Sequence, residues 1–145
     1  MNNTILMVGA GSYLPEKVLT NDDLSTFVDT DDAWIKQRTG IHQRHMVADG
    51  ELTSDMAVAA ANDALSAAGL TSDDIDIIIV ATTTPDDTFP STASTVQHKL
   101  GSYQAFAFDT QAVCAGFIYA LLALELFERD FDSKSGLPSR LSSEA

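Results

Sequence analysis

Cys114 is the residue in this sequence best placed to do chemistry. It is the single cysteine of the chain and sits in Asp109-Thr110-Gln111-Ala112-Val113-Cys114-Ala115-Gly116-Phe117, where a short apolar run gives way to a long one. The pattern predicts a strand that hands over to a helix, with Cys114 in the opening turn. A thiol there feels the positive end of the helix dipole and lies beside N–H groups with no intrahelical partner, and both favour the thiolate. Ala115 and Gly116 would leave room beside the sulfur, which is expected at the bottom of a narrow opening. A free cysteine on an apolar helix is also among the residue types most often buried for packing. Position alone leaves nucleophile and structural cysteine both standing.

Other groups divide less evenly. Trp34 and Arg38 are four residues apart and share one face of a predicted helix, so they could grip a flat, charged ligand by stacking and ion pairing. Their spacing by itself favours a simpler arrangement, a part-buried indole with arginine laid over it. Gly9-Ala10-Gly11 follows an apolar run as a dinucleotide fingerprint would, but Leu14 occupies the third glycine position, so a plain turn is the better reading. The acidic groups Asp22-Asp23, Asp29 to Asp32, Asp73-Asp74-Asp76 and Asp86-Asp87 lack the alternation and closing glutamate of a calcium loop. Most precede a helix or strand, which suits capping. His42 and His45 have neither metalloprotease spacing nor an evident third ligand, and no metal site is expected.

These groups sit in a chain of 145 residues, the length of one ordinary domain. The net charge of −13 repels phosphate backbones and anionic headgroups, so nucleic acid and membrane surfaces are poor partners. A 45% hydrophobic content is too high for a disordered chain. One cysteine excludes an internal disulfide framework and suits a reducing compartment. No apolar stretch approaches the roughly 20 residues of a membrane span, and Met1-Asn2-Asn3-Thr4 carries no basic leader. A cytoplasmic protein is the expectation.

The elements that must position the candidates read in order. An apolar run at residues 4–9 predicts a buried strand. Thr20-Asn21-Asp22-Asp23 and Thr30-Asp31-Asp32 are N-cap signals for two short helices, the second stopped by Gly40. Thr53-Ser54-Asp55 opens a helix over 54–69 whose apolar face is mostly alanine (Ala57, Ala60, Ala61, Ala64 and Ala68), small enough for close approach of a neighbouring backbone. Ile77 to Ala81 is a β-branched run expected as a strand buried on both faces. A helix over 91–100 follows, then a strand over 104–109 and an apolar helix over 112–127. The alternation predicts a layered α/β fold with a mixed, mostly parallel sheet. Residues 128–145 have no period and read as an unstructured tail.

Taken in order, several segments resemble one family. They are Gly9-Ala10-Gly11-Ser12-Tyr13-Leu14-Pro15, Asp29-Thr30-Asp31-Asp32-Ala33-Trp34-Ile35, Arg38-Thr39-Gly40-Ile41, Ala81-Thr82-Thr83-Thr84-Pro85, Phe89-Pro90-Ser91 and Ala112-Val113-Cys114-Ala115-Gly116-Phe117. The series is similar to the amino-terminal half of β-ketoacyl-[acyl-carrier-protein] synthase III, the condensing enzyme that initiates type II fatty acid synthesis. The resemblance covers about residues 4–127. It implies a thiolase-like layered α-β-α-β-α fold, of which residues 1–127 would be an incomplete amino-terminal half. It also implies that Cys114 takes an acyl group from acyl-CoA and that Thr30, Trp34 and Arg38 bind CoA. Phe89 would line an acyl pocket across a dimer. Partners would be acyl-CoA, malonyl-acyl carrier protein and a second copy in a homodimer, with no cofactor beyond the CoA thioester substrate.

The same resemblance sets out departures. The family chain is roughly twice this length, and its catalytic His and Asn fall in its second half. An acyltransferase that is inactive as this chain alone is therefore the expectation, and the rival is a non-catalytic remnant or partner-binding fragment. Codons for Leu141-Ser142-Ser143-Glu144-Ala145, read in a shifted frame, can give Val-Ile-Gly-Ser, which resembles the family's next strand. A frameshift is one reading of the 128–145 stretch.

Overall fold

Side chains placed at helix ends fix most of this fold. The computed structural model describes residues 6–132 and 137–138, with side chains up to 127. Thr20 and Asp23 form a reciprocal capping box that opens helix α1 (Asn21–Ser25): Asp23 N–H donates to Thr20 Oγ1 at 3.1 Å, and Thr20 N–H to the Asp23 carboxylate at 2.9 Å. Asp31 accepts from Trp34 N–H at 2.7 Å and opens α2 (Asp32–Thr39), which Gly40 closes at a left-handed φ of 70°. Helix α3 is Thr53–Ala68. Ser91 opens α4 (Thr92–Leu100), and α5 spans Gly116–Asp130. The acidic clusters thus act as caps: Asp74 accepts from Thr71, and Asp86 accepts from Ser54 N–H at the start of α3.

Strand β3 (Ile77–Ala81) pairs in parallel with β4 (Phe106–Thr110), with Ile77 opposite Phe106 and Ala81 opposite Thr110. Helix α4 connects them and packs on both, so β3-α4-β4 is a crossover unit. Helix α3 packs against α4, and α5 against both strands. The best-buried apolar side chains, Ala93, Val96 and Ala105, lie in or beside this unit, and Ile35 is buried on α2. The α/β class and the parallel pair agree with the sequence. So do α2, α3 and α4.

The alanine face of α3 does what its composition predicts. Residues 9–12 run across it so closely that a Cβ on Gly11 would lie 2.2 Å from Ala60 O and from Ala64 N, and one on Gly9 would lie 2.6 Å from Ala64 O. Helix backbone cannot yield to a methyl group, so glycine is required at both positions. Ser12 N–H donates to Asp63 at 3.0 Å and holds the segment in place.

Several expectations change. Residues 6–9 form no strand, and residues 4 and 5 lie outside the described residues. This segment is held by helix contact rather than by a ladder, and Leu6, Met7 and Val8 are exposed. The strand Ile77 to Ala81 is half-buried rather than enclosed on both faces. An antiparallel pair absent from the sequence reading joins β1 (Lys17–Thr20) to β2 (Gln43–Met46) across the two helices between them. Helix α5 begins at Gly116, after a 3-10 turn over Val113–Ala115. It continues to Asp130, past the expected end at 127. A short antiparallel pair, β5 (Phe131–Asp132) with β6 (Leu137–Pro138), follows in the stretch read as tail. Residues 133–136 and 139–145 lie outside the described residues.

The caps carry a pH signature. Asp32 titrates below the ordinary aspartate range because of hydrogen bonds from Lys36 and then Asn21. Asp23 is lowered by Thr20, Asp55 by Lys99 and Leu52, and Asp74 by Thr71. Each folded-state value lies below the unfolded one, so the stabilisation is complete above the unfolded value and is lost as pH falls through the folded one. As far as these carboxylates set it, melting temperature should hold from neutral pH down to about 5 and begin to fall below about 4. A melting profile that declines already between pH 7 and 5 would contradict this assignment.

Candidate functional site

Parallel strands deliver their following loops to the same edge, and in open α/β sheets that edge is where ligands bind. The loop after β3 (residues 82–91) carries Phe89, and the turn after β4 carries Cys114. Thr82 N–H donates to Thr110 O at 3.1 Å, so the two connections leave the strands side by side.

The loop with Phe89 is braced at both ends. Thr53 Oγ1 donates to Thr84 O at 2.7 Å, and Asp86 accepts from Ser54 N–H at 2.9 Å. At the far end, the Asp109 carboxylate on β4 accepts from Thr92 N–H at 2.8 Å and from Ala93 N–H at 2.7 Å. Thr92 and Ala93 are both fully buried, so Asp109 supplies partners to two donors that water cannot reach. Phe89, between these anchors, is 89% exposed.

Cys114 sits in the 3-10 turn rather than in the α-helix proper. Ala115 N–H bonds back to Ala112 O at 2.9 Å, and Gly116 N–H to Val113 O. Val113 adopts φ 47°, a left-handed conformation that a β-branched residue takes only when its surroundings impose it. Such strain, about 1–3 kcal/mol, gathers at functional sites. The thiol is exposed, which corrects the expected narrow opening. Gly116 has a different role from the one its type suggested: it is buried, and a Cβ there would stand 3.0 Å from Ala81 Cβ. It lets α5 start hard against the end of β3 instead of clearing space beside the sulfur.

Helix α2 carries the second group. Arg38 lies over the Trp34 ring, 5.7 Å from guanidinium carbon to ring centroid, and Trp34 is 53% exposed. The pair is a cation–π stack with the arginine laid over a half-exposed indole, the arrangement the spacing favours, and its open face is accessible. Thr30, just ahead of the Asp31 cap, has a buried Oγ1 with no hydrogen-bond partner among the described residues. Trp34, Arg38 and Thr30 thus share one helix and its entry, while Cys114 and Phe89 share the strand ends.

Sequence reading missed Asp109, Asn21 and the backbone of Val113. Asp109 gave no signal because its partners are backbone groups on another element. An open depression of about 690 Å³ is lined by Tyr13, Glu16, Lys17, Ala48, Glu51 and Asp55, none of them a candidate. Among the described residues no cluster of His, Cys, Asp and Glu could hold a metal ion, and no helix is long and apolar enough to cross a membrane.

No family model matches the chain. Individual relatives do. It is 65% identical over 113 residues to a β-ketoacyl-[acyl-carrier-protein] synthase III from Hyphomonas neptunium, covering 78% of this chain and 35% of that one. It is 56% identical over 131 residues to a protein of the same name from Xanthomonas campestris, covering 90% and 40%. The crystal structure of 3-oxoacyl-[acyl-carrier-protein] synthase III from Aquifex aeolicus superposes with a TM-score of 0.79 at 48% identity, over 84% of this chain and 39% of that one. The Thermus thermophilus synthase III gives 0.77 at 44% identity, over 83% and 37%. The chain spans about two fifths of the length of the curated relatives it matches.

Proposed function

We propose, for a chain that corresponds in sequence and fold to the amino-terminal part of a β-ketoacyl-[acyl-carrier-protein] synthase III, that Cys114 is an acyl-accepting nucleophile and that α2 holds the nucleotide end of acyl-CoA. The observation that carries this reading is the turn at Cys114: an exposed thiol on a strained backbone where a parallel strand ends. In the proposed step the sulfur, as thiolate, attacks the thioester carbonyl of acyl-CoA. A carbon–sulfur bond forms to Cys114, the bond to the CoA sulfur breaks, and the CoA thiolate leaves and takes up a proton. Reactant and product are both thioesters, so neither direction is steeply uphill. Backbone N–H groups of the turn would hold the developing oxyanion.

The stacked Trp34 and Arg38 suit a flat, anionic nucleotide: the indole offers a face and the guanidinium a charge, and Thr30, just ahead of the helix, completes the CoA contact in this reading. Phe89 lines the acyl group's pocket in a second copy, so a homodimer belongs to this reading. Condensation with malonyl-acyl carrier protein, in fatty acid synthesis in the cytoplasm, belongs to it too. It requires no bound cofactor. Incubation with acetyl-CoA followed by mass spectrometry of peptides is the test. One acetyl group on the Cys114 peptide is expected, and acetylation confined to lysines would reject Cys114 as the nucleophile.

A further inference from the structure

Asn21 is the largest fully buried side chain among the described residues, 1% exposed. One carboxamide there touches both ends of a single helix. Its Nδ2 donates to Asp32 Oδ1 at 2.9 Å and to Ile41 O at 2.8 Å. Asp32 is the first residue of α2, and Ile41 follows the glycine that closes it. The Asn21 oxygen accepts from Arg44 Nη2 at 2.8 Å, and Arg44 Nη1 donates to Thr20 O at 3.1 Å. Asn21, the first residue of α1, therefore ties the head and the tail of α2 to Arg44 on β2 through one side chain.

We infer that Asn21 is a positioning residue for the CoA contact: its carboxamide, anchored by Arg44 on β2, fixes where α2 presents Trp34 and Arg38. This rests on the reading of α2 given above. A helix held at both ends cannot slide along its axis or rotate, and the stack it carries is exposed and has little packing of its own to hold it. Burial makes the carboxamide's role specific. Its two donors and its acceptor are all used, and no other uncharged side chain offers the same pattern at that length. Asn21→Asp keeps the acceptor for Arg44 but turns an oxygen toward Asp32 Oδ1 and Ile41 O. Asn21→Ser reaches none of the three partners.

Trp34 is the only tryptophan of the chain, so coenzyme A can be followed by quenching of intrinsic fluorescence. For the unaltered chain, saturable quenching is expected. Asn21→Asp and Asn21→Ser should each raise the half-saturating coenzyme A concentration by about tenfold or more. Acetylation of Cys114 by S-acetyl-N-acetylcysteamine, a thioester without the nucleotide, should stay within about twofold of the unaltered rate in both variants. That split separates positioning from general stability, because a residue that merely holds the fold would lower both together. Equal loss of both readouts, or half-saturation unmoved in both variants, overturns the inference. An unaltered chain that shows no saturable quenching removes the CoA reading of α2 itself.

Discussion

Cys114→Ser is expected to lower the rate of acetylation by acetyl-CoA at least about a thousandfold, because a serine hydroxyl is essentially never ionised at neutral pH while a thiol is, to a few per cent even when unassisted. The substitution replaces sulfur with a slightly smaller atom at an exposed position, so the fold and melting temperature should not change. Time-resolved mass spectrometry reads the effect directly. Retention of the original rate at another residue of the chain would show that the turn after β4 is not where the acyl group goes. The contrast is sharp because the chain has one cysteine, so no neighbouring thiol can take over.

Asp109→Ala should be the most damaging single change to stability. It leaves the buried N–H groups of Thr92 and Ala93 with no acceptor at the start of α4. Two hydrogen bonds to a charged group are lost where water cannot replace them, at about 1.5–3 kcal/mol each before relaxation. A loss of about 3–5 kcal/mol follows, which for a domain of this size lowers the melting temperature by about 10–15 °C. Asp109→Asn should cost less, since one oxygen remains to accept. Thermal melts of the two variants check the order. An alanine variant as stable as the asparagine variant would mean that the carboxylate is not what closes the helix.

Helices were legible wherever cap and period agree within a few residues. Asp31 and Gly40 bracket α2, and Ser91 and Gly101 bracket α4, in sequence as in space. The β-branched run of β3 declared itself in the same way. Strands that depend on a distant partner did not. Gln43-Arg44-His45-Met46 has no apolar period, yet it pairs with β1 because Arg44 reaches back to Thr20 and Asn21 and His45 Nδ1 bonds Pro15 O at 2.5 Å. Conversely, the apolar residues 6–8 look like a strand but are positioned by glycine contacts to α3. At the site, Trp34 and Arg38 were legible as a helix-face pair because their spacing is local. The strain at Val113 was not, since nothing in a valine announces φ 47°. Nor was Asn21, whose type suggests a cap and whose burial comes from elements on either side.

Helix α4 has nine residues, fewer than an isolated helix needs to persist in water. Its amino end is closed by Ser91 and also by a carboxylate seventeen residues further along, on a strand that exists only when paired with β3. Helix α3 likewise borrows Asp86, thirty-two residues away. Local and long-range structure thereby support one another in the native state. Backbone amides at Thr92 and Ala93 should exchange with solvent deuterium at the same free energy as those of the β3–β4 ladder. The amide of Trp34, capped from within its own segment by Asp31, should open independently. Faster exchange at Thr92 and Ala93 than in the ladder would break that link. If it holds, the β3–β4 ladder and the first turn of α4 open as one cooperative unit.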